Sequence, residues 1–412
     1  MLREPDYRRL FLGRTTSLVG DGMAPIAIAF AVLDLTGSAT DLGIVFAAHA
    51  VFMIALLLVG GVVGDRVSPR VAMLGADATR AASTALLALL LLTGVAEIWQ
   101  LALLYAIDGA ATAFFNPAST AIVPQVVPGQ RLQEANALLN VSRHGGKVVG
   151  PALAGVLLAL GSPGTALAVN AATFAVSAAC LLGVHAPRVQ AAEEQDFLAE
   201  LRHGWREFFS RKWMVAIVLS AAVGNGIFFP AFQVLGPVVA KESLDGSSSW
   251  ALIMTLFGVG GLFGAVAALS LQPRRPLLVG EGLICLIAIP VALLAIPAST
   301  AVIALGALVS ASTVGFGEVL YDTVAAQHVP AESLSRVLAY DWFGALALAP
   351  VGLVLVGPLA AGLGVSTTLW LGAALVTLCQ ACVLLVPSLR RLQARPGATG
   401  PLPPVRPVEA GD

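Results

Sequence analysis

Four carboxylic acids lie within segments that are otherwise apolar enough to cross a membrane: Asp21, Asp108, Glu318 and Asp322. Ionisable side chains are costly inside a bilayer and usually face a cavity or a charged partner, so they mark candidate functional sites. Glu318 and Asp322 are four residues apart, which places both on one face of a helix, where their charges repel each other. Carboxylates in such positions can bind and release protons, and we predict these four residues as proton carriers.

Asp21 is the first candidate among them, because Gly20 and Gly22 flank it and leave backbone exposed around the carboxylate. A structural role is the alternative, in which Asp21, Asp77 and Asp108 form ion pairs with Arg14, Arg80 or Arg143. For Asp77 and Arg80, which are three residues apart, the sequence favours such a pair. We also expect structural or interfacial roles for Asp341, His49 and His144.

A second set of candidates is aromatic: Phe114, Phe115, Phe228, Phe229, Phe232 and Trp342. Aromatic rings provide apolar and stacking surface, which suits a cavity for amphipathic molecules. Packing against lipid is the alternative for some of them. The sequence therefore predicts them as residues of a substrate cavity.

The elements that carry these residues are membrane helices. Hydrophobic residues make up 58% of the 412 positions and charged residues 11%, whereas soluble proteins carry roughly 25% charged residues. A membrane span requires about 20 predominantly apolar residues. Twelve segments qualify, and they predict an all-α membrane protein: 10–33, 42–63, 72–94, 99–124, 134–160, 164–184, 214–240, 249–271, 277–297, 300–325, 335–361 and 366–387.

The distribution of basic residues predicts the orientation of these spans. Lys241 is the only basic residue in the loops that follow odd-numbered spans, whereas the loops on the other side are rich in arginine. Cytoplasmic loops carry the excess of Lys and Arg, so we expect both termini in the cytoplasm of a cell whose plasma (inner) membrane the chain crosses. No short apolar core with a small-residue cleavage site opens the chain, so we expect no cleaved signal peptide.

The chain divides into two halves that resemble each other. We predict a first six-helix bundle over 1–185, a cytoplasmic amphipathic linker over 186–212, a second bundle over 213–389 and a disordered cytoplasmic tail over 390–412. Several features recur in the same order and at nearly constant spacing in the second half. Gly20-Asp21-Gly22 recurs as Gly224-Asn225-Gly226, and Pro69-Arg70 recurs as Pro273-Arg274. This pattern predicts two bundles related by a pseudo-twofold axis, with the transport pathway between them.

The loop between spans 2 and 3 reads GGVVGDRVSPR over residues 60–70 and resembles the signature of major facilitator transporters. Gly61, Asp65, Arg66 and Arg70 match that signature, while Ser68 stands where glycine is common. The resemblance implies that this cluster is a conformational latch between the halves. The alternative is a loop that only anchors topology through its arginines.

Span 5 contains Gly146, Gly150, Pro151 and Gly155 in GKVVGPALAG, which resembles a glycine-proline motif of drug/proton antiporters. Small residues at this spacing let helices approach closely, and the proline kinks the helix. Segments 8–30, 75–82 and 114–155 further resemble the multidrug, macrolide and siderophore exporter branch of the superfamily. One position departs from that pattern, because Tyr105 stands where many antiporters of the family carry an arginine.

The resemblance implies proton-coupled efflux of a small amphipathic or hydrophobic compound, such as a drug, antibiotic or siderophore, by alternating access. An uptake symporter for a nutrient, a lipid or lysolipid flippase of the same fold, and a non-transporting receptor or scaffold are the alternatives. We find no nucleotide-binding signature, metal-ligand spacing or nucleophile motif. We therefore expect no enzymatic activity, no cofactor, no metal and no nucleic-acid partner. The expected partners are a small-molecule substrate, protons and the lipid bilayer, and we expect a monomer.

The predicted topology can be tested with single cysteines at Ser247 and Ser68. An impermeant thiol reagent added to intact cells should label a cysteine at Ser247, which lies in a predicted outer loop, and should not label one at Ser68. Labelling after membrane permeabilisation serves as the control for both positions. The opposite pattern would contradict the orientation.

Overall fold

The computed structural model describes residue 2 and residues 4–185, 205–271, 273–296 and 298–392. Within those ranges it does not describe the side chains of residues 58–66, 331–336 and 391. Residues 186–204 of the predicted linker and residues 393–412 of the predicted tail lie outside the described residues, so both predictions remain predictions.

The first half is helical in seven segments: α1 (Pro5–Thr36), α2 (Ala39–Arg66), α3 (Pro69–Thr93), α4 (Ile98–Ala121), α5 (Val123–Val126), α6 (Leu132–Leu160) and α7 (Pro163–Leu182). A 3-10 turn at Gly129–Arg131 precedes α6. Helix α3 begins at Pro69, where the Ser68 hydroxyl accepts a hydrogen bond from the Val71 amide and caps the helix.

The second half contains more interruptions than the sequence predicts. Residues 205–210 form a helical segment, α8, after which come α9 (Lys212–Gln233), α10 (Leu235–Ser243), α11 (Ser247–Ser270), α12 (Pro276–Ile284), a 3-10 turn at Cys285–Ala288, α13 (Ile289–Leu294), α14 (Thr300–His328), α15 (Ala331–Leu346), α16 (Ala349–Leu363), α17 (Val365–Val383) and α18 (Pro387–Arg391). Predicted spans 7, 9 and 11 are each divided into two helices. Pro230, Pro290 and Pro350 lie at or near these divisions. Proline has no backbone N–H to donate to the helix, so it favours an interruption there.

Twelve spans account for these helices. Eleven are long and apolar enough to cross a membrane by length and composition within the described part of the chain. The twelfth predicted span is α6, which is 29 residues long but carries Arg143, His144 and Lys147 near its middle. Helix α6 packs between α1 of its own half and α11 of the other half, so its charged segment lies along the boundary between the bundles.

Helix packing follows the same scheme in both halves. In the first half α1 packs on α6 and α7, α2 on α4, and α3 on α4 and α7. In the second half the equivalent spans pack in the same way: α9 on α15, α16 and α17, α11 on α14, and α12 with α13 on α14 and α17. The predicted pair of pseudo-symmetric six-helix bundles is thereby confirmed.

Glycines permit the closest helix contacts in each bundle. A Cβ atom built on Gly150 of α6 would lie 2.6 Å from the Gly22 Cα atom of α1. In the second half, Gly352 of α16 meets the backbone of Gly226 of α9 in the same way. The predicted packing motif also extends between the halves, because a Cβ atom on Gly155 would lie 2.6 Å from the Ala251 Cβ atom of α11. Without a side chain at these positions the backbones can approach each other closely.

Contacts between the halves extend from mid-span to the predicted outer side. Helix α2 packs on α16, and Gly357 adjoins Thr40 near the predicted outer end of this pair. Helix α6 packs on α11, with Gly258 against the Lys147 backbone. At the predicted outer ends of α1 and α10, the Lys241 Nζ atom lies 2.6 Å from an Asp34 carboxylate oxygen and donates to the Leu33 carbonyl. These contacts join the bundles on one side of the membrane.

The glycine contact between α1 and α6 predicts that alanine substitutions at two glycines of α6 change the stability of the protein differently. Gly150→Ala should lower the melting temperature of the purified protein, because overpacking costs about 1–3 kcal/mol. Gly145→Ala is the matched control, since no atom lies within 4 Å of a Cβ atom at that position and alanine favours a helix over glycine by about 1 kcal/mol. Equal melting temperatures for the two variants would contradict the packing described here.

Candidate functional site

The centre of the first bundle contains an arginine shared by two carboxylates. Arg80 of α3 is buried, and its Nε atom donates a hydrogen bond of 3.0 Å to Asp108 Oδ1 of α4. A terminal nitrogen of the same guanidinium donates to Asp21 Oδ1 of α1. The flat guanidinium can bond to two carboxylates at once, which a lysine ammonium does less well. One side chain thus joins three helices.

Aromatic and imidazole rings surround this cluster. The Arg80 guanidinium lies 3.9 Å from the centre of the Phe174 ring of α7, a distance at which a cation is attracted to the ring face. The His49 Nε2 atom of α2 is 3.3 Å from Asp108 Oδ2, and its ring stacks on Tyr105 at 4.4 Å. Arg80 therefore provides a guanidinium in this region, although Tyr105 occupies the position where the family pattern has its arginine.

The predicted pairing of Asp77 with Arg80 is wrong. Arg80 is instead engaged by Asp21 and Asp108, because α3 directs its long side chain towards α1 and α4. Asp77 is fully buried and faces Ser177 of α7, and no described group donates a well-formed hydrogen bond to either of its carboxylate oxygens. Spacing along one helix did not determine the partner.

The second bundle contains a cavity of about 250 Å³ between α9, α12, α14, α15 and α17. Two of the predicted proton carriers, Glu318 and Asp322, line this cavity together with Trp342 from the aromatic set. Its other polar lining residues are Asn225, Glu281, Tyr321, Asp341 and Gln380. The remaining wall is apolar and includes Ile217, Ile284 and Val314.

The carboxylates of this cavity differ in their surroundings. Glu318 and Asp322 are exposed and lie one turn apart on α14, and the charge of Lys147 on α6 is near enough to act on Glu318 through the electrostatic field. Asp341 of α15 accepts a hydrogen bond from the Tyr321 hydroxyl. Glu281 of α12 is only 6% exposed. It was missed at the sequence level, although a single carboxylate in an apolar segment is the signal that identified Asp108.

The other aromatic candidates lie elsewhere in the fold. Phe228 and Phe232 of α9 are fully buried and stack on each other, and Phe232 also packs against Trp250 of α11. Phe229 packs against this cluster and Phe115 lies in a separate core cluster, while Phe114 is half-buried. In this conformation none of these five phenylalanines lines the 250 Å³ cavity.

The predicted latch is described only in part. The side chains of Asp65 and Arg66, and the surroundings of Gly61, are not described. Arg70 donates hydrogen bonds to the Leu181 and Leu182 carbonyls at the C-terminal end of α7. A cation there satisfies helix-end carbonyls and the helix dipole, so Arg70 ties α3 to α7 within the first half.

Comparisons with known proteins agree with this architecture. Residues 10–343 match the family model of the Major Facilitator Superfamily. The multidrug efflux pump Tap of Mycolicibacterium fortuitum is 26% identical over 393 residues, which cover 92% of this chain and 94% of Tap. Macrolide efflux protein A of Streptococcus pyogenes is 24% identical over 269 residues, and the match covers 63% of this chain and 65% of that protein.

Solved structures show the same fold. The nucleoside transporter NupG superposes with a TM-score of 0.72 at 13% identity, over 92% of this chain and 98% of NupG. A bacterial homologue of the human lysosomal transporter Spinster, in an inward-facing and unoccupied conformation, superposes with a TM-score of 0.74 at 14% identity, over 93% of this chain and 96% of that one.

The shared arginine predicts a strong dependence of stability on charge balance. Arg80→Gln should destabilise the purified protein by about 3–5 kcal/mol, because it leaves a buried carboxylate without its partner. Arg143→Gln is the control, since Arg143 is exposed. The double variant Arg80→Gln with Asp108→Asn should recover part of the loss in a thermal melt. A small effect of Arg80→Gln, or no recovery in the double variant, would contradict the bridging role.

Proposed function

Since the chain belongs to the major facilitator superfamily, we propose that it is a secondary transporter that exports a small amphipathic compound in exchange for protons. The family and the membrane-spanning helices make it a multi-pass membrane transporter. Export, the proton as coupling ion, the class of substrate and cytoplasmic termini belong to the proposal.

Two lines of support favour export over uptake. Both curated relatives described above are named as efflux proteins. The glycine-proline motif of α6, which resembles that of drug/proton antiporters, lies at contacts with both α1 and α11. These contacts put the motif where the two halves must move against each other in alternating access.

The observation that supports proton coupling most directly is the sharing of Arg80 between Asp21 and Asp108. With both carboxylates ionised, one guanidinium faces two negative charges. A proton on Asp21 removes one of these charges, weakens the link between α1 and α3, and leaves Arg80 paired with Asp108. Protonation then changes which helices are held together, which is the requirement for coupling a proton to a conformational change.

Solvent access distinguishes the two carboxylates. The Asp21 side chain is 35% exposed, whereas the Asp108 side chain is 9% exposed. Only a carboxylate that water can reach exchanges protons readily with either side of the membrane. Asp21 therefore acts as the proton carrier of this proposal, and Asp108 holds Arg80 in place.

The second half contributes Glu318 and Asp322 to the proposal. Both are exposed at the cavity of that half, and their shared helix face brings their charges close. The charge of Lys147 in the first half also acts on Glu318. A pair of carboxylates at this position can exchange a proton or a cation as the halves separate.

The contacts between the halves support alternating access as the mechanism. They extend from mid-span to the predicted outer side and include the ion pair of Asp34 with Lys241. Transport then requires these contacts to open while new ones form on the cytoplasmic side, where the loop with Asp65 and Arg66 is the proposed latch. Uptake and lipid flipping use the same fold, and the direction of transport in liposomes separates them from export.

Coupled transport can be tested with purified protein in liposomes that contain a pH-sensitive dye, with a macrolide or ethidium as the transported probe. Asp21→Asn should abolish efflux driven by a proton gradient and still allow substrate binding, because it removes the titrating group and keeps its shape. Glu318→Gln should have the next largest effect. Asp245→Asn, at an exposed carboxylate, is the matched control and should transport normally.

Several pH values should be compared, because the coupling step requires a group that changes its protonation state. Wild-type coupled transport in both Asp21→Asn and Glu318→Gln would contradict the proton pathway and leave Asp108 or Asp322 as the candidate. Transport of the probe without any movement of protons would contradict proton coupling itself.

A further inference from the structure

The cavity of the second half has an unbalanced charge. Four carboxylates line it: Glu281, Glu318, Asp322 and Asp341. Among the described residues, none of those that line it is basic, and the positive charge that acts on Glu318 comes from Lys147 of the first half. Carboxylates that share a confined space repel one another unless a cation or protons are present.

Glu281 is the strongest indication that the cavity can bind a cation. Its side chain is more than nine-tenths buried and borders the cavity, and the described residues provide no hydrogen bond or ion pair for its carboxylate. A buried charge without a partner is strongly unfavourable. Glu281 must therefore carry a proton in this conformation or meet a cation that enters the cavity.

The residues that line the cavity indicate which kind of cation it can bind. Within the described part of the chain, no three His, Cys, Asp or Glu side chains are grouped closely enough to hold a metal ion. Ile217, Ile284 and Val314 give the cavity an apolar wall, and Trp342 and Tyr321 add aromatic rings. Separated carboxylates, apolar surface and aromatic rings together suit an organic ammonium group.

The Tyr321 hydroxyl fixes one of the acidic groups. It donates a hydrogen bond to the carboxylate of Asp341 on α15 and so fixes the orientation of that carboxylate. Asn225 likewise uses its amide to bond to the Ala345 carbonyl, and Gln380 accepts a hydrogen bond from Ser220. Each of these neutral groups makes one hydrogen bond within the protein, and the carboxylates are the only lining groups, among the described residues, whose charge can attract a cation.

We propose that this cavity binds the ammonium end of an amphipathic organic cation, with Glu281 as its principal anionic contact. The cavity of about 250 Å³ is smaller than typical ligand pockets of about 300–1,000 Å³, so it holds a small cation or the charged end of a larger molecule. If the ligand is also the transported substrate, that further step rests on the proposed function, whereas binding itself does not.

Competition with protons follows from the same charges. The groups that face the cavity are Glu281 on α12, Glu318, Tyr321 and Asp322 on α14, Asp341 on α15, and Lys147 on α6 across the boundary. Protons on the carboxylates remove the negative charge that attracts the ligand. Cation binding therefore weakens as the pH falls, and an entering cation displaces protons.

The test is equilibrium binding to the purified protein without any gradient, by calorimetry or thermal shift. The probes are benzyltrimethylammonium, the neutral N,N-dimethylbenzamide and the anion phenylmethanesulfonate, which have similar size and differ in charge. Only the ammonium probe should bind, and more tightly at pH 8 than at pH 5. Glu281→Gln should weaken its binding about tenfold or more. Glu242→Gln, at an exposed carboxylate, should leave it unchanged.

Three results would overturn the inference. The first is equal binding of the three probes, and the second is no binding of the ammonium probe. The third is unchanged affinity for the ammonium probe in a folded Glu281→Gln variant. The pH dependence of the wild-type protein tests it even if that variant does not fold. The proposed function is tested separately. If the cation binds but nothing is transported in liposomes, export is contradicted and the binding site is not. If the macrolide probe is transported but the cation does not bind, the binding site is contradicted and export is not.

Discussion

The burial of one guanidinium among apolar helices is the constraint on which the first half depends. Arg80 cannot leave its charge unbalanced in this environment, and Asp21 and Asp108 supply the balance from two other helices. The positions of α1, α3 and α4 are therefore linked through one charged group. Because the three charges do not sum to zero when both carboxylates are ionised, the cluster is sensitive to a single proton.

The two bundles share a scaffold and differ in their charges. The contacts of Gly22 with Gly150 and of Gly226 with Gly352 are equivalent, and they fix the same pair of helices in each half. Counted from the equivalent residues Pro69 and Pro273, the position of Arg80 corresponds to Ile284, which lines the cavity of the second half. That half has no arginine at this position, and the described residues that line its cavity include four carboxylates and no basic residue. Backbone symmetry is thus compatible with different chemistry in the two halves, because backbone packing depends on small residues and charge depends on a few long ones.

The number and order of the spans could be predicted from the sequence, because hydropathy over about 20 residues is a property of the segment itself. The partners of charged residues could not, because they depend on where neighbouring helices lie. Asp77 and Arg80 have a spacing that suits a local pair, yet the arginine bonds to residues of α1 and α4. Phe228 and Phe232 have a composition that suits a cavity, yet they form part of the core with Trp250. The breaks of spans 7, 9 and 11 also escaped prediction, since an apolar segment with proline remains long enough to read as one helix.

The positions of the two charged sites leave a physical route between them. Helix α6 contacts α1 so closely through Gly150 and Gly22 that no side chain separates the backbones, and it carries Lys147 towards Glu318 in the second half. If protonation of Asp21 releases α1 from Arg80, α6 must follow α1 or lose this contact. A movement of α6 changes the distance from Lys147 to Glu318, and with it the negative charge available in the cavity. Coulomb energy falls with distance and rises where water is excluded, so even a small displacement alters how strongly a cation is held there. A proton in one half can then act on a cation in the other half without any direct contact between them, provided that α6 has two stable positions.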